Sequence, residues 1–195
     1  MKLTGGNEMN FFLSESEKST LLKTARESIQ SKLSGNPPRF DQPTPKLMQP
    51  CGAFVTIHRG DRLRGCIGHI LAHSPLFEAV KELSRSSAFH DPRFPPLILD
   101  ELPEIDIEIS VLTPLVSINS PEEVEVGVHG VYIELEDRSG VLLPQVPLEQ
   151  GWNREEFLHH LCLKAGLHDG CISDPRARLS VFKAIIFGEK EQPET

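Results

Sequence analysis

The sequence contains few of the residues that nucleic-acid-binding proteins use. Of its 195 residues, one is Trp and one is Tyr, so aromatic side chains that can stack on bases are scarce. Acidic residues outnumber basic ones by 28 to 20, which gives a formal net charge of −8 at pH 7. Nucleic acids and anionic membrane surfaces attract a basic surface rather than an acidic one. We therefore expect no nucleic-acid binding and no attachment to a membrane.

Membrane-spanning, cofactor-binding and disulfide patterns are also missing. No apolar run approaches the roughly 18 residues of a membrane span, and the N-terminal residues lack the pattern of a secretory signal. Neither a GxGxxG motif nor a P-loop occurs, and no cofactor is predicted. The four cysteines form no Cys-x-x-Cys pair, which favours free thiols over a disulfide framework. Together these absences predict a cytoplasmic protein.

Hydrophobic periodicity predicts an α+β fold. A capping box of Ser14 and Glu17 begins one helix, and Ser74 (followed by a proline) and Asn153 are predicted to cap two more. The buried residues predicted for the last helix include Phe157, Leu158, Leu161 and Leu163. Three helices and mostly hairpin-linked strands indicate an antiparallel sheet with flanking helices.

The stretch 104–112 alternates strictly between apolar and polar residues, as a half-buried strand does. The residues predicted to face the core are Ile105, Ile107, Ile109 and Val111. The residues predicted to face away are Asp106, Glu108 and Ser110. Such a polar row is most often a solvated face, and the alternative is a general acid–base pair of Asp106 and Glu108.

The segment LRGCIGHI, residues 63–70, places an arginine and a cysteine between glycines in an apolar run. It follows the strand AFVTIH and the turn RGD, and the two strands are predicted to form a hairpin. We favour a three-residue turn with Gly60 in the left-handed conformation, because this register separates polar from apolar side chains. One face then carries Thr56, His58, Arg62, Arg64 and Cys66. The other face carries Val55, Ile57, Leu63 and Ile67.

Cys66 is the candidate reactive thiol. Arg64 lies about 7 Å away along the same face, and a nearby guanidinium favours the thiolate form. Gly65 and Gly68 leave room for a ligand to approach the backbone. The alternative is a structural thiol, because free cysteines are among the most buried residues. In this register His58 is four residues from Cys66, about 13 Å, which is too far for a base.

Six motifs occur in order along the chain. They are LRGCIG (63–68), DPRF (91–94), IEISVL (107–112), GVHG (127–130), LPQV (143–146) and the pattern W…EEFL…C.KAGL (152–167). In these motifs the chain resembles the AMMECR family, from Phe12 to Phe187. The resemblance implies one domain at 12–188 made of two α+β lobes, with a cleft between the lobes that holds the hexapeptide. We expect a flexible leader at 1–11 and a tail at 189–195.

The motifs supply further candidate site residues. His129, between the glycines of GVHG, is the candidate base for the thiol, with a turn role as the alternative. Glu108 is a candidate catalytic carboxylate, and the alternative is an ion pair with Arg64 or Arg93. Asp91 and Arg93 are a predicted ion pair in the cleft.

The resemblance leaves two functions open. In one, the protein is an enzyme or enzyme component that acts on a small substrate in the cleft, with Gln145 of LPQV among the residues that bind it. In the other, the same surface is a binding module that docks a protein partner. Bacterial members resemble the A component of a gene neighbourhood that also encodes a Memo-like protein and a radical-SAM protein, which are the expected partners. The family has no agreed biochemical activity.

We predict that the purified protein carries no stoichiometric zinc. His159, Cys162, His168 and Cys171 follow one another, but their spacing matches no established zinc signature. Elemental analysis of the purified protein checks this. One zinc per chain that disappears in Cys162→Ser or Cys171→Ser would contradict the prediction.

Overall fold

The computed structural model describes residues 11–191 of the chain. Its α-helices are α1 (Glu15–Ser34), α2 (Leu76–Phe89), α3 (Val146–Gln150) and α4 (Arg154–Lys164). Its strands are β1 (Gly52–Arg59), β2 (Arg62–His69), β3 (Ile105–Leu112), β4 (Val116–Ile118), β5 (Gly130–Leu135), β6 (Arg138–Leu142), β7 (Arg178–Phe182) and β8 (Ala184–Gly188). Residues 1–10 of the expected leader and 192–195 of the expected tail lie outside the described range. Within that range no helix is long and apolar enough to cross a membrane.

The strands form two antiparallel four-stranded sheets, with the orders β2-β1-β3-β8 and β4-β7-β5-β6. Helices α1 and α2 pack on the first sheet, and α4 packs on the second. Each sheet has its own buried apolar core. We call the first sheet with α1 and α2 the first unit, and the second sheet with α3 and α4 the second unit. The predicted α+β fold is confirmed, and the cleft between the lobes stays a prediction.

Local signals in the sequence fix both ends of α1. The Ser14 hydroxyl accepts the Glu17 amide at 3.3 Å, and the Glu17 carboxylate accepts the Ser14 amide at 3.0 Å, so the predicted capping box is confirmed. Gly35 follows the helix with φ 74°, a left-handed conformation that glycine adopts without strain. The capped helix can therefore present its apolar stripe to the first sheet.

Strand β3 runs through the middle of the first sheet, and its predicted core face is confirmed. All four of its predicted core residues are buried. Ser110 is buried as well, although the alternation predicted that it faces solvent. It lies between Phe54 on β1 and Ile186 on β8, whose larger side chains flank it.

Three details of the helices differ from the sequence prediction. Helix α2 begins at Leu76 without a side-chain cap, because Pro75 and not Ser74 occupies the cap position. Leu163 of α4 is 50 % exposed, since its neighbours Leu161 and Cys162 take the inward positions of that turn. Helix α3, which the periodicity did not predict, adds a short helix before α4. The capping box of Asn153 at the start of α4 is confirmed.

Cys162 and Cys171 form a disulfide in the second unit, with a Cα–Cα distance of 5.9 Å. The expectation that the cysteines are free is therefore wrong for this pair. Gly166, with φ 68°, ends α4 and turns the chain back, so that Cys171 returns against the helix. Cys51 and Cys66 are free thiols.

The β1–β2 hairpin has a shorter turn than predicted. Gly60 is left-handed as expected, with φ 61°, but Arg59 pairs directly with Arg62, which leaves a two-residue turn. A β-bulge follows, in which Arg64 lies unpaired between two residues of β2 that have partners on β1. The two-residue turn pairs Leu63 with His58, so Leu63 faces away from the core, where it was predicted, and is 39 % exposed. Beyond the bulge, Thr56 is the direct partner of Cys66.

The glycines of the hexapeptide accommodate other parts of this protein. A Cβ built on Gly65 would overlap the main-chain carbonyl oxygen of Ser87, so Gly65 lets α2 approach β2 closely. The Ser87 hydroxyl accepts the Ile67 amide at 2.9 Å and donates to the Val55 carbonyl at 2.7 Å. On the opposite face, the ring of Phe54 occupies the space beside Gly68. A role for the two glycines in ligand binding stays a prediction.

Gly65→Ala is expected to lower the free energy of unfolding by about 1–3 kcal/mol, because the added methyl group forces α2 away from β2. Gly188→Ala in the same sheet is the matched control. Its added Cβ would meet no atom nearer than the Ile107 carbonyl oxygen at 3.6 Å, so the change should be within about 0.5 kcal/mol. Guanidinium denaturation of both variants measures the difference, and equal effects would contradict this account of Gly65.

Candidate functional site

The ion pair of the DPRF motif holds the main chain of Cys66. The Cys66 amide donates to Asp91 Oδ2 at 2.8 Å, and the Cys66 carbonyl accepts from Arg93 Nη2 at 3.2 Å. Arg93 Nε and Nη2 donate to the two Asp91 oxygens at 3.0 and 2.7 Å. The predicted ion pair is confirmed, and we call Asp91 and Arg93 the Cys66 clamp.

Asp91 is buried, with 3 % of its surface exposed. The hydrogen bonds from Arg93 outweigh burial and hold the pKa of Asp91 well below its usual range, so the carboxylate is ionised. Because β2 is an edge strand, an amide that points off the sheet has no partner strand. A charged acceptor makes a stronger hydrogen bond to such an amide than a neutral one does. The clamp thus provides a hydrogen-bond acceptor for the Cys66 amide at the sheet edge and fixes the backbone there.

The Cys66 side chain lies on the face of the first sheet that is opposite the helices, because its neighbour Gly65 faces α2 and successive side chains alternate. The Thr56 hydroxyl donates to Cys66 Sγ at 3.3 Å. Cys66 is half-buried, whereas Cys51 is buried. Burial raises the pKa of Cys51 to about 11. Of the two free thiols, Cys66 is the more accessible.

A row of residues continues from Cys66 across the sheet. The register aligns Cys66 with Thr56, Thr56 with Glu108, and Glu108 with Gly188. Strands are about 4.8 Å apart, so the backbones at Cys66 and Glu108 are about 10 Å apart. The structure therefore brings Glu108 and the thiol to one face of the first sheet.

Arg64 binds the carboxylate of Glu101. Its Nε and Nη2 donate to the two oxygens of Glu101, each at 2.9 Å, and both side chains are largely buried. This fork lowers the pKa of Glu101. The alternative in which Glu108 pairs with Arg64 or Arg93 is contradicted, because Arg64 binds Glu101 and Arg93 binds Asp91. No sequence motif marks Glu101 as the partner, because it lies in an irregular 3₁₀ segment, Leu99–Glu104.

Two candidate residues lie in the second unit. His129 lies in the turn before β5, where its Nδ1 accepts the Glu125 amide at 3.2 Å, which is the turn role that was the alternative to catalysis. Gln145 immediately precedes α3, and its Oε1 is buried without a hydrogen-bond partner among residues 11–191. Neither residue is on the sheet that carries Cys66. A site that includes them requires the predicted cleft.

The residues considered for zinc also lie in the second unit. The sulfurs of Cys162 and Cys171 are bonded to each other, and His159 Nδ1 lies 2.7 Å from the Asp169 carboxylate. In the described part of the chain, no group of three or more His, Cys, Asp or Glu side chains is arranged to hold a metal ion. Bonded sulfurs are not thiolate ligands, and the absence of zinc from the purified protein stays a prediction.

Known proteins resemble the chain over most of its length. The AMMECR1 family model matches residues 22–187. The chain belongs to the AMMECR1 family. A relative in Methanopyrus kandleri is 44 % identical over 184 residues, which cover 89 % of this chain and 88 % of the relative. One in Methanothermobacter thermautotrophicus is 43 % identical over 185 residues, which cover 91 % and 96 %.

A solved structure extends the comparison to the fold. The crystal structure of an uncharacterized protein from Pyrococcus horikoshii matches with a TM-score of 0.78 and 38 % identity. The match covers 92 % of this chain and 95 % of that one, so it includes both units. The AMMECR1 fold therefore comprises both sheets.

Asp91→Asn is expected to lower the free energy of unfolding by about 1.5–3 kcal/mol at pH 7, because the charged hydrogen bonds to Cys66 and Arg93 are lost. The pKa of Asp91 is lower in the folded protein than its unfolded value of about 3.9. Its contribution is therefore complete above that pH and is lost as the pH falls toward the folded pKa.

Urea denaturation at a series of pH values measures this contribution. Asp137→Asn, at an exposed position in the turn between β5 and β6, is the control. If Asp91→Asn lowers the free energy of unfolding no more than Asp137→Asn does, the account of the clamp is wrong. It is also wrong if the difference between wild type and Asp91→Asn stays the same in acid.

Proposed function

We propose that this AMMECR1-family protein is a cytoplasmic enzyme, or a component of one, that acts on a small substrate with Cys66 as its reactive thiol. The observation that carries the proposal is the clamp. Both main-chain polar groups of Cys66 are bound by the buried Asp91 and by Arg93, while the residue itself stays half-buried. A cysteine with only a packing role needs neither a charged anchor nor access to solvent.

The clamp supports this function because reactive groups work best when their position is fixed before the substrate arrives. Cys66 is fixed through its own backbone, so its side chain extends from a defined point. The Thr56 hydroxyl donates to Sγ at 3.3 Å, which holds the sulfur on the face of the sheet opposite the helices. The thiolate is the form that attacks an electrophilic substrate.

Glu108 completes the proposed site on the same face. Its carboxylate lies across Thr56 from the thiol, where it can hold a positively charged or proton-donating group of a small molecule. His129 and Gln145 join the site only across the proposed cleft between the two units. The buried, unpartnered Oε1 of Gln145 is an available acceptor for that purpose.

A docking surface is the second candidate, and exposed apolar residues beside the hexapeptide favour it. Leu63 is 39 % exposed, Ile98 58 % and Leu99 54 %. The Arg64–Glu101 pair connects the two segments, because Glu101 also accepts the Ile98 amide at 3.2 Å. A Memo-like or radical-SAM protein would be the partner of such a surface. This function would tolerate Cys66→Ser but not Leu99→Asp.

Cys66 is expected to react with iodoacetamide faster than Cys51 in the native protein at neutral pH. The reason is that Cys66 is more accessible, whereas burial raises the pKa of Cys51 to about 11 and shields its sulfur. Mass mapping of partly labelled native protein measures both rates, with Cys51 as the internal control.

Cys66→Ser separates a functional thiol from a packing residue. We expect its melting temperature to remain near that of the wild type, because serine keeps the backbone bonds to the clamp. If Cys66 stays unmodified until the protein unfolds, and Cys66→Ser lowers the melting temperature by several degrees, the thiol has a packing role and the proposal fails.

A further inference from the structure

The register of the hairpin brings a histidine to Cys66. The sequence pattern put His58 four residues from Cys66, about 13 Å away, but the structure pairs Cys66 directly with Thr56, so that estimate is wrong. His58 is only two residues from Thr56 along β1, which makes it a diagonal neighbour of Cys66. Diagonal neighbours on antiparallel strands have Cα atoms about 7–8 Å apart, within reach of long and aromatic side chains.

His58 is also on the correct face of the sheet. The pairing of β1 with β3 is regular from Gly52 to Arg59, and the bulge lies on β2, so alternation along β1 is not interrupted. His58 therefore shares its face with Thr56, whose hydroxyl contacts Cys66 Sγ at 3.3 Å. His58 is half-buried.

Strand β3 places a carboxylate beside the histidine. Asp106 is the direct cross-strand partner of His58, and Glu108 is its diagonal neighbour. The adjacent strands β2, β1 and β3 thus carry a thiol, an imidazole and a carboxylate side by side, in that order. This is the order of a nucleophile, the base that takes its proton, and the group that orients the base.

We infer that His58 is the base for Cys66, with Asp106 as the residue that positions the imidazole. The inference rests on the proposed function of Cys66 as a reactive thiol. The proton leaves Sγ for a ring nitrogen of His58, which produces a thiolate and an imidazolium, and no other reactant is needed. The imidazolium then lies between the thiolate and the β3 carboxylates.

Charged groups from both neighbouring strands surround the His58 position. From β3 it faces the carboxylates of Asp106 and Glu108, and Lys190 lies 2.6 Å from Asp106. From β2, Arg64 is bound to Glu101, and Arg62 lies next to Leu63, the direct partner of His58.

The rate of Cys66 labelling by iodoacetamide as a function of pH tests the inference. In His58→Gln the labelling profile should move to higher pH than in the wild type, and the rate at pH 7 should fall roughly tenfold, because less thiolate is present. His69→Gln is the control, since His69 is exposed and closer to Cys66 in the sequence.

A second measurement does not depend on the folding of a His58 variant. If His58 and Cys66 are coupled, the thiolate stabilises the imidazolium, and Cys66→Ser should lower the pKa of His58 in an NMR titration. An unchanged His58 pKa in Cys66→Ser, or an unchanged labelling profile in folded His58→Gln, overturns the inference.

The outcomes separate this inference from the proposed function. If Cys66 is labelled preferentially in both the wild type and His58→Gln, the thiol is functional but His58 is not its base. If wild-type Cys66 is not labelled in the native state, the proposed function itself fails.

Discussion

The hydrogen bond from the Cys66 amide to the buried Asp91 carboxylate is the interaction on which the site depends. It joins an edge strand to the loop after α2, and Arg93 completes it by binding both the carboxylate and the Cys66 carbonyl. An ionised carboxylate at 3 % exposure is stable only while these donors are in place. The side chain of Cys66, its contact with Thr56 and its alignment with Glu108 all follow from the position of that backbone.

The glycines of LRGCIG have a physical reason that the sequence alone did not reveal. The space beside Gly65 is taken by the Ser87 carbonyl of α2, and that beside Gly68 by the Phe54 ring. The motif is therefore a point where a helix, an edge strand and a neighbouring strand approach closely. The Ser87 contact holds the strand from the helix side, the clamp holds it along its edge, and the thiol lies on the opposite face together with the Phe54 ring.

Sequence reasoning predicted features that depend on local signals. The capping boxes at Ser14 and Asn153 and the alternation in β3 were sufficient to predict those elements, and the Asp91–Arg93 pair follows from two residues in one short turn. The two-residue turn and the bulge at Arg64 both depend on pairing between strands. The turn exposes Leu63, and the turn and the bulge together make His58 a diagonal neighbour of Cys66. The Cys162–Cys171 bond likewise depends on how the chain returns after Gly166, which no cysteine spacing indicates. The wrong predictions thus concern contacts between residues that are brought together only by strand pairing or by the path of the folded chain.

Hydrogen exchange of individual amides, followed by NMR, tests the central claim that the clamp fixes Cys66. On an edge strand, amides that point off the sheet exchange quickly unless another group binds them. The account predicts that the Cys66 amide is protected to the level of the sheet core, whereas that of Gly68, which points the same way two residues later, exchanges much faster. Equal exchange at Cys66 and Gly68 would contradict it.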